Sequence, residues 1–141
     1  MMTIEYQVKI RYHENGQKLK EEWYLNDKLH REDGPASQTW YDSGQKHYEH
    51  WYLNGQLHRE DGPAFQGWYE NGQKCSERWY LNDKLYRVDG PAIQFWYENG
   101  QKYLEFYYIN NINVTEQEFK LKTDPDYQKY LELKSKFEGA K

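Results

Sequence analysis

The chain predicts a mainly β protein, an antiparallel β-hairpin and meander array of about four 28-residue units with a short C-terminal α-helical cap. Three observations carry this expectation. Gly16, Gly44, Gly72 and Gly100 recur at one fixed spacing, each followed by Gln-Lys; such a period marks a repeat array in which each unit buries its apolar face against its neighbours. All six tryptophans (Trp23, Trp40, Trp51, Trp68, Trp79, Trp96) fall on two positions of the unit, which favours a structural role for each. Asn15-Gly16, Ser43-Gly44, Asn71-Gly72 and Asn99-Gly100 each separate two aromatic-rich stretches, a strong short-range hairpin signal.

The elements follow in order. Ile4, Tyr6, Val8, Ile10 and Tyr12 alternate with polar residues and predict the first strand, with Tyr12 at the position of Trp40, Trp68 and Trp96. The second strand carries Trp-Tyr-Leu-Asn at 23–26, 51–54 and 79–82, weakened to Tyr107-Tyr108-Ile109-Asn110. A second turn at Asn26-Asp27, Asn54-Gly55 or Asn82-Asp83 leads into a short Leu-x-Arg segment. Asp-Gly-Pro-Ala then breaks the chain, because proline cannot donate to a central ladder. The array spans 1–114, with units at about 1–35, 36–63, 64–91 and 92–114, and the cap spans 115–141. In the cap, Thr115-Glu116-Gln117-Glu118 has the form of a capping box, and Asp124-Pro125 starts a second helix. That helix carries Tyr127, Tyr130, Leu131, Leu133 and Phe137 in an uneven apolar stripe.

Period-two alternation sorts the strand residues onto two faces. One face is constant from unit to unit: Glu21, Trp23 and Leu25 with their counterparts, and Gln38-Trp40, Gln66-Trp68 and Gln94-Trp96. It is assigned to the packed interior, with Glu and Gln forming ladders between units. The other face varies: Lys20 and Glu22, Tyr48 and His50, Ser76 and Arg78, then Leu104 and Phe106, each pair beside Tyr24, Tyr52, Tyr80 or Tyr108. Its C-terminal end is a greasy patch of Ile93, Phe95, Leu104 and Phe106, which the second helix is expected to cover.

Composition narrows the function classes. The net charge of −4 lies wholly within residues 1–114, since the tail from Thr115 carries six acids and six bases; nucleic acid is therefore not expected as a partner. No apolar run reaches membrane-spanning length, and the start lacks an export pattern, so a soluble cytoplasmic protein is expected. Cys75 is matched by Leu19, His47 and Tyr103 in the other units, which reads as incidental rather than catalytic.

His30-Arg31-Glu32-Asp33 and His58-Arg59-Glu60-Asp61 hold acid–base chemistry in compact form. Tandem repetition, and the change to Tyr86-Arg87-Val88-Asp89 in the third copy, favour a structural reading: Asp accepts turn amide hydrogens and Arg pairs with a carboxylate. His47 and His50, three apart on a strand, are expected on opposite faces. No catalytic residue, metal site or cofactor is expected.

Tyr-Glu-Asn-Gly-Gln-Lys followed by Trp-Tyr-Leu-Asn-Gly resembles the variant MORN repeats of bacterial antitoxin-like proteins and of phage and giant-virus proteins, over about residues 6–114. The inserted Leu-His-Arg-Glu-Asp-Gly-Pro-Ala looks like the longer repeat of the phage and giant-virus group. The resemblance implies a β-meander array that binds or scaffolds and has no catalytic residues. Together these readings predict a non-enzymatic protein-binding module, neutralising or sequestering a toxin or host protein. Its contacts are expected at Lys20, Glu22, Tyr24, Tyr48, His50, Tyr52, Phe65, Arg78 and Tyr80 on the variable face. The alternatives are small-ligand or glycan binding by a tyrosine ladder, and self-association through open sheet edges.

Overall fold

The structure is a computed structural model and describes residues 1–139. The first unit contains β1 (Gln7–Tyr12), β2 (Lys18–Leu25) and β3 (Lys28–Leu29). The second contains β4 (Ser37–Trp40), β5 (Lys46–His50), β6 (Tyr52–Leu53) and β7 (Gln56–Leu57). The third repeats this pattern with β8 (Phe65–Trp68), β9 (Lys74–Arg78), β10 (Tyr80–Leu81) and β11 (Lys84–Leu85). The last contains β12 (Ile93–Trp96), β13 (Lys102–Ile109) and β14 (Ile112–Val114), followed by α1 (Glu116–Thr123) and α2 (Pro125–Gly139). Ten strands form one antiparallel sheet in the order β1-β2-β4-β5-β8-β9-β12-β13-β14, with β3 also paired to β2. The pairs β6-β7 and β10-β11 stand apart as two-stranded sheets.

The two turns of each hairpin unit are built differently. At the first, Gly16 N–H donates to His13 O and His13 N–H to Gln17 O, with Gly16 at φ +86°. Asn15 does not share that left-handed conformation, so this is a three-residue turn with a bulge rather than a two-residue one. At the second turn both central residues are left-handed, Asn26 at φ 50° and Asp27 at φ 62°, and the same holds at 54–55, 82–83 and 110–111. These are the mirror-image turns whose twist matches that of the strands, and Asn, Asp and Gly tolerate them best.

The bulge beside the first turn shifts the register between Thr39 and Trp40, so that Trp40 faces Lys46, and it recurs at Tyr12, Trp68 and Trp96. Simple alternation misses this shift. It carries Lys18, Lys46, Lys74 and Lys102 onto the constant face, where each pairs with the glutamate three residues on, at 2.7–3.3 Å. It also overturns the expected separation of His47 from His50, because the His47 ring lies on the Tyr48 side, 3.9 Å from that ring.

The constant face is not a closed apolar interior. Ile10, Glu21, Gln38, Glu49, Gln66, Glu77, Gln94 and Glu105 form one row straight across the sheet. Within it Gln66 donates to Glu49 at 3.2 Å, and Glu21, Glu49 and Glu77 are each 8% exposed. Trp23 donates its indole N–H to Glu21 at 2.8 Å. Arg31, Arg59 and Arg87 then lie over Trp23, Trp51 and Trp79 at 3.9–4.1 Å, so cations and lysine stems take the place of an aliphatic layer. The fully buried apolar positions among the described residues are small: Ala36, Ala64 and Ala92, each 0% exposed. Their carbonyls accept from Trp23, Trp51 and Trp79 N–H at 2.7–2.8 Å, tying each unit to the next.

The cap differs from expectation in which helix docks. The capping box forms as predicted, with Glu118 N–H donating to Thr115 Oγ1 and Thr115 N–H to the Glu118 carboxylate. Phe119 of α1 is 4% exposed, with its ring 5.0 Å from that of Tyr107. Tyr107 stands where Trp79 stands one unit earlier, so Phe119 takes the place that Arg87 holds over Trp79. Its phenol donates to Glu105, and burial together with the charges and hydrogen bonds of Glu105 and Glu116 pushes its pKa up to about 12. By contrast α2 buries no residue: Tyr130, Leu131, Leu133 and Phe137 are exposed, and Leu104 of the greasy patch is 41% exposed. The capping box starts a helix directly after β14, which commits the chain to the Tyr107 face before α2 begins.

Candidate binding face

The variable face is built by cross-strand register. One row reads Lys9, Glu22, Ser37, His50, Phe65, Arg78, Ile93, Phe106; the next reads Arg11, Lys20, Thr39, Tyr48, Gly67, Ser76, Phe95, Leu104. The structure therefore brings six of the predicted residues together. Lys20 and Glu22 pair at 2.5 Å, one unit away from the cluster of Tyr48, His50, Phe65 and Arg78. In that cluster Phe65 meets His50 edge-on at 4.7 Å, lies 5.6 Å from Tyr48, and receives the Arg78 guanidinium at 5.1 Å. Neighbouring strands place these residues directly or diagonally opposite, within reach of long side chains.

Gly67 makes the cluster possible. A Cβ there would sit 2.8 Å from Tyr48 Cε1 and 2.9 Å from Cys75 Sγ, so glycine lets the Tyr48 ring lie across β8. Cys75, at the bulge position of its hairpin, is thus a neighbour of this face, which its sequence position did not reveal.

The predicted tyrosines divide. Tyr52 stacks on His50 at 6.1 Å, and Tyr24 lies beside Glu22 with Lys9 over its ring at 4.7 Å. Tyr80 belongs to the separate β10-β11 hairpin, next to Tyr52 electrostatically but not in ring contact with it. Among the described residues no ring of Tyr24, Tyr52, Tyr80 or Tyr108 stacks on another of the four, so the continuous ladder expected from the spacing does not form. Strand pairing is interrupted at Trp51 and Trp79, and the small hairpins beyond them form their own two-stranded sheets, whereas β2 runs through Trp23 and keeps β3 in the main sheet.

The His-Arg-Glu-Asp motifs hold units together. His30 Nδ1 accepts from Asn54 N–H at 2.9 Å and His58 Nδ1 from Asn82 N–H at 3.1 Å. Arg31, Arg59 and Arg87 donate through Nε to Asp33, Asp61 and Asp89 at 2.8–3.0 Å and through Nη1 to the carbonyls of Pro35, Pro63 and Pro91. Each Asp is thus a partner of arginine, rather than the acceptor of turn amides that its position implied. Tyr41 and Tyr69 donate through their hydroxyls to Trp68 O and Trp96 O, 27 residues on, and Asn15 and Asn71 reach Asp42 O and Glu98 O at the same separation. Sequence reading missed these latches, although a Tyr after every Trp of the first strand was the signal.

Burial, then the Lys20 and Arg78 charges, hold His50 below its ordinary 6.5 against the opposing pull of Glu49, and burial alone depresses His47. Burial raises the Glu21 carboxyl, but hydrogen bonds from Lys18 and Trp23 and the Lys18 and Arg31 charges outweigh it and leave the group below 4.5. Glu22 is lowered in the same way through Lys20. The unfolded chain therefore takes up protons that the folded chain refuses: first by the histidines as pH falls through 6.5, then by the glutamates below 4.5. The melting temperature is expected to fall in two stages from neutral pH downward. Replacing His47 and His50 by Gln should remove the first stage in a pH series of thermal melts; an unchanged profile would contradict this assignment.

No group of three potential metal ligands occurs among the described residues, and no described helix is long and apolar enough to cross a membrane. Comparison of the chain with protein-family models, with curated proteins and with solved structures yields no match.

Proposed function

We infer that the chain is a non-enzymatic binding module of the variant MORN-like type, which holds a protein partner on the variable face of its first three units. The observation that supports this most is the division of labour between the faces. Polar side chains of the constant face are largely spent on the array itself: glutamates on lysines and Trp23, arginines on aspartates and proline carbonyls, His30 and His58 on the next turn. On the variable face side chains differ at every unit and form a half-buried aromatic cluster at Tyr48, His50 and Phe65, flanked by an arginine. Tyr and Arg on a rigid support are frequent interface anchors. A toxin or host protein is the kind of partner the resemblance implies.

The test is affinity capture from a native extract with Tyr48→Ala/His50→Ala/Arg78→Ala beside the unaltered protein. A partner retained by the unaltered chain and lost with the variant, at an unchanged circular dichroism spectrum, is the expected result. Equal retention by both would remove this face from consideration.

A further inference from the structure

Charge on this acidic chain is sorted by face. The two rows of the variable face carry Lys9, Arg11, Lys20 and Arg78 but only one acid, Glu22, and that acid is already paired with Lys20. Arg31, Arg59 and Arg87 each pair with an aspartate, whereas the Arg78 side chain makes no hydrogen bond or ion pair among the described residues. Its Nε is buried without a partner, and its Cζ lies 5.1 Å from the centre of the Phe65 ring and 5.8 Å from that of Phe95. A guanidinium stays charged at any physiological pH, so a half-buried one without an anion is an incomplete ion pair. With Nε buried and phenyl rings on both sides, the Nη1 and Nη2 donors are the ones left to a ligand approaching from above the sheet.

We propose that the variable face binds an acidic segment of its partner, with one carboxylate seated on Arg78 and a large apolar side chain of the same segment lying on Phe95, Leu104 and Phe106. This rests on the reading of the variable face as the interface and adds the chemistry of what it recognises. A carboxylate matches the fork of one guanidinium, and desolvation between two rings strengthens the pair. A polyphosphate backbone suits the molecule less well, because Glu14, Asp42, Glu70 and Glu98 ring the hairpin tips at one end of the strands.

Fluorescence anisotropy with the full chain tests it, using a labelled peptide of alternating Glu and Leu, its Gln-Leu counterpart and a single-stranded oligothymidylate. The Glu-Leu peptide is expected to bind about tenfold or more tightly than the Gln-Leu peptide, and Arg78→Met to weaken it by about the same factor, with Arg78→Lys between. Arg78→Met keeps the length and apolar stem of the side chain, and an unchanged melting curve certifies its fold. Equal Glu-Leu binding by Arg78→Met and the unaltered chain overturns the proposal, as does tighter binding of the oligothymidylate. Capture from extract separates this from the broader reading. A partner lost with Tyr48→Ala/His50→Ala but kept by Arg78→Met preserves the interface and overturns the carboxylate seat.

Discussion

Ala64→Leu is expected to split the thermal unfolding of the array into two transitions. Ala64 is 0% exposed at the junction of the second and third hairpins, and its carbonyl accepts from Trp51 N–H at 2.7 Å. Three added heavy atoms have nowhere to go without pushing β8 from Trp51 or driving side chains off their rotamers, at a cost of about 1–3 kcal/mol. In a compact domain that loss lowers one midpoint. Here neighbouring units are stabilised through their shared interfaces, so weakening one interface uncouples the two sides of the array. Scanning calorimetry should show one transition for the unaltered chain and two for Ala64→Leu, the lower shifted by roughly 3–10 °C. A single transition at the unaltered midpoint would mean that the junction has slack the structure does not show.

The second large effect is at the C-terminal end, where two helices that look alike in sequence should behave oppositely. Phe119→Ala removes a ring that is 4% exposed and 5.0 Å from Tyr107, so a loss of about 3–4 kcal/mol is expected. The loss should be local, with α1 detaching and β14 fraying from the outer half of β13. Amide exchange should then quicken by two or more orders of magnitude over residues 107–123, which is about what such a loss allows, while residues 7–81 stay protected. Removing 125–141 is expected to leave the melting curve where it was, because α2 buries no residue. A drop of several degrees on that truncation, with Phe119→Ala silent, would reverse the assignment of the cap.

Much of this architecture was legible because the repeat supplies its own alignment. Asn-Gly and Asn-Asp at fixed positions marked both turns, the capping box marked α1, and alternation put Tyr48, His50, Phe65 and Arg78 on one face, where the register places them. What escaped were features that break the period of two or depend on distance through space. The bulge at Trp40 and its counterparts reversed His47 and moved four lysines to the other face, since one extra residue changes phase without leaving a mark in composition. Phe119 was passed over because α2 has the longer apolar stripe, yet α1 follows β14 directly and so reaches Tyr107 first. Arg78 reads in sequence as one contact among several, and its missing counter-ion becomes visible only beside the paired Arg31, Arg59 and Arg87.

The latches between units, from Asn15, Tyr41, Tyr69 and Asn71 to main-chain carbonyls of the next unit and from the next unit's Asn54 and Asn82 amides to His30 and His58, all grip backbone on the receiving side. Every residue type presents the same carbonyl, and all but proline present the same amide. These latches therefore hold a unit whatever side chains it carries at the gripped positions, while Ala64 and Gly67 remain places where the neighbour demands a small residue. The backbone part of the adhesion along the array is thus indifferent to the identity of the outer face, and a new binding specificity would need compensating changes in the neighbour only where outer-face side chains meet across units, as Tyr48 meets Gly67.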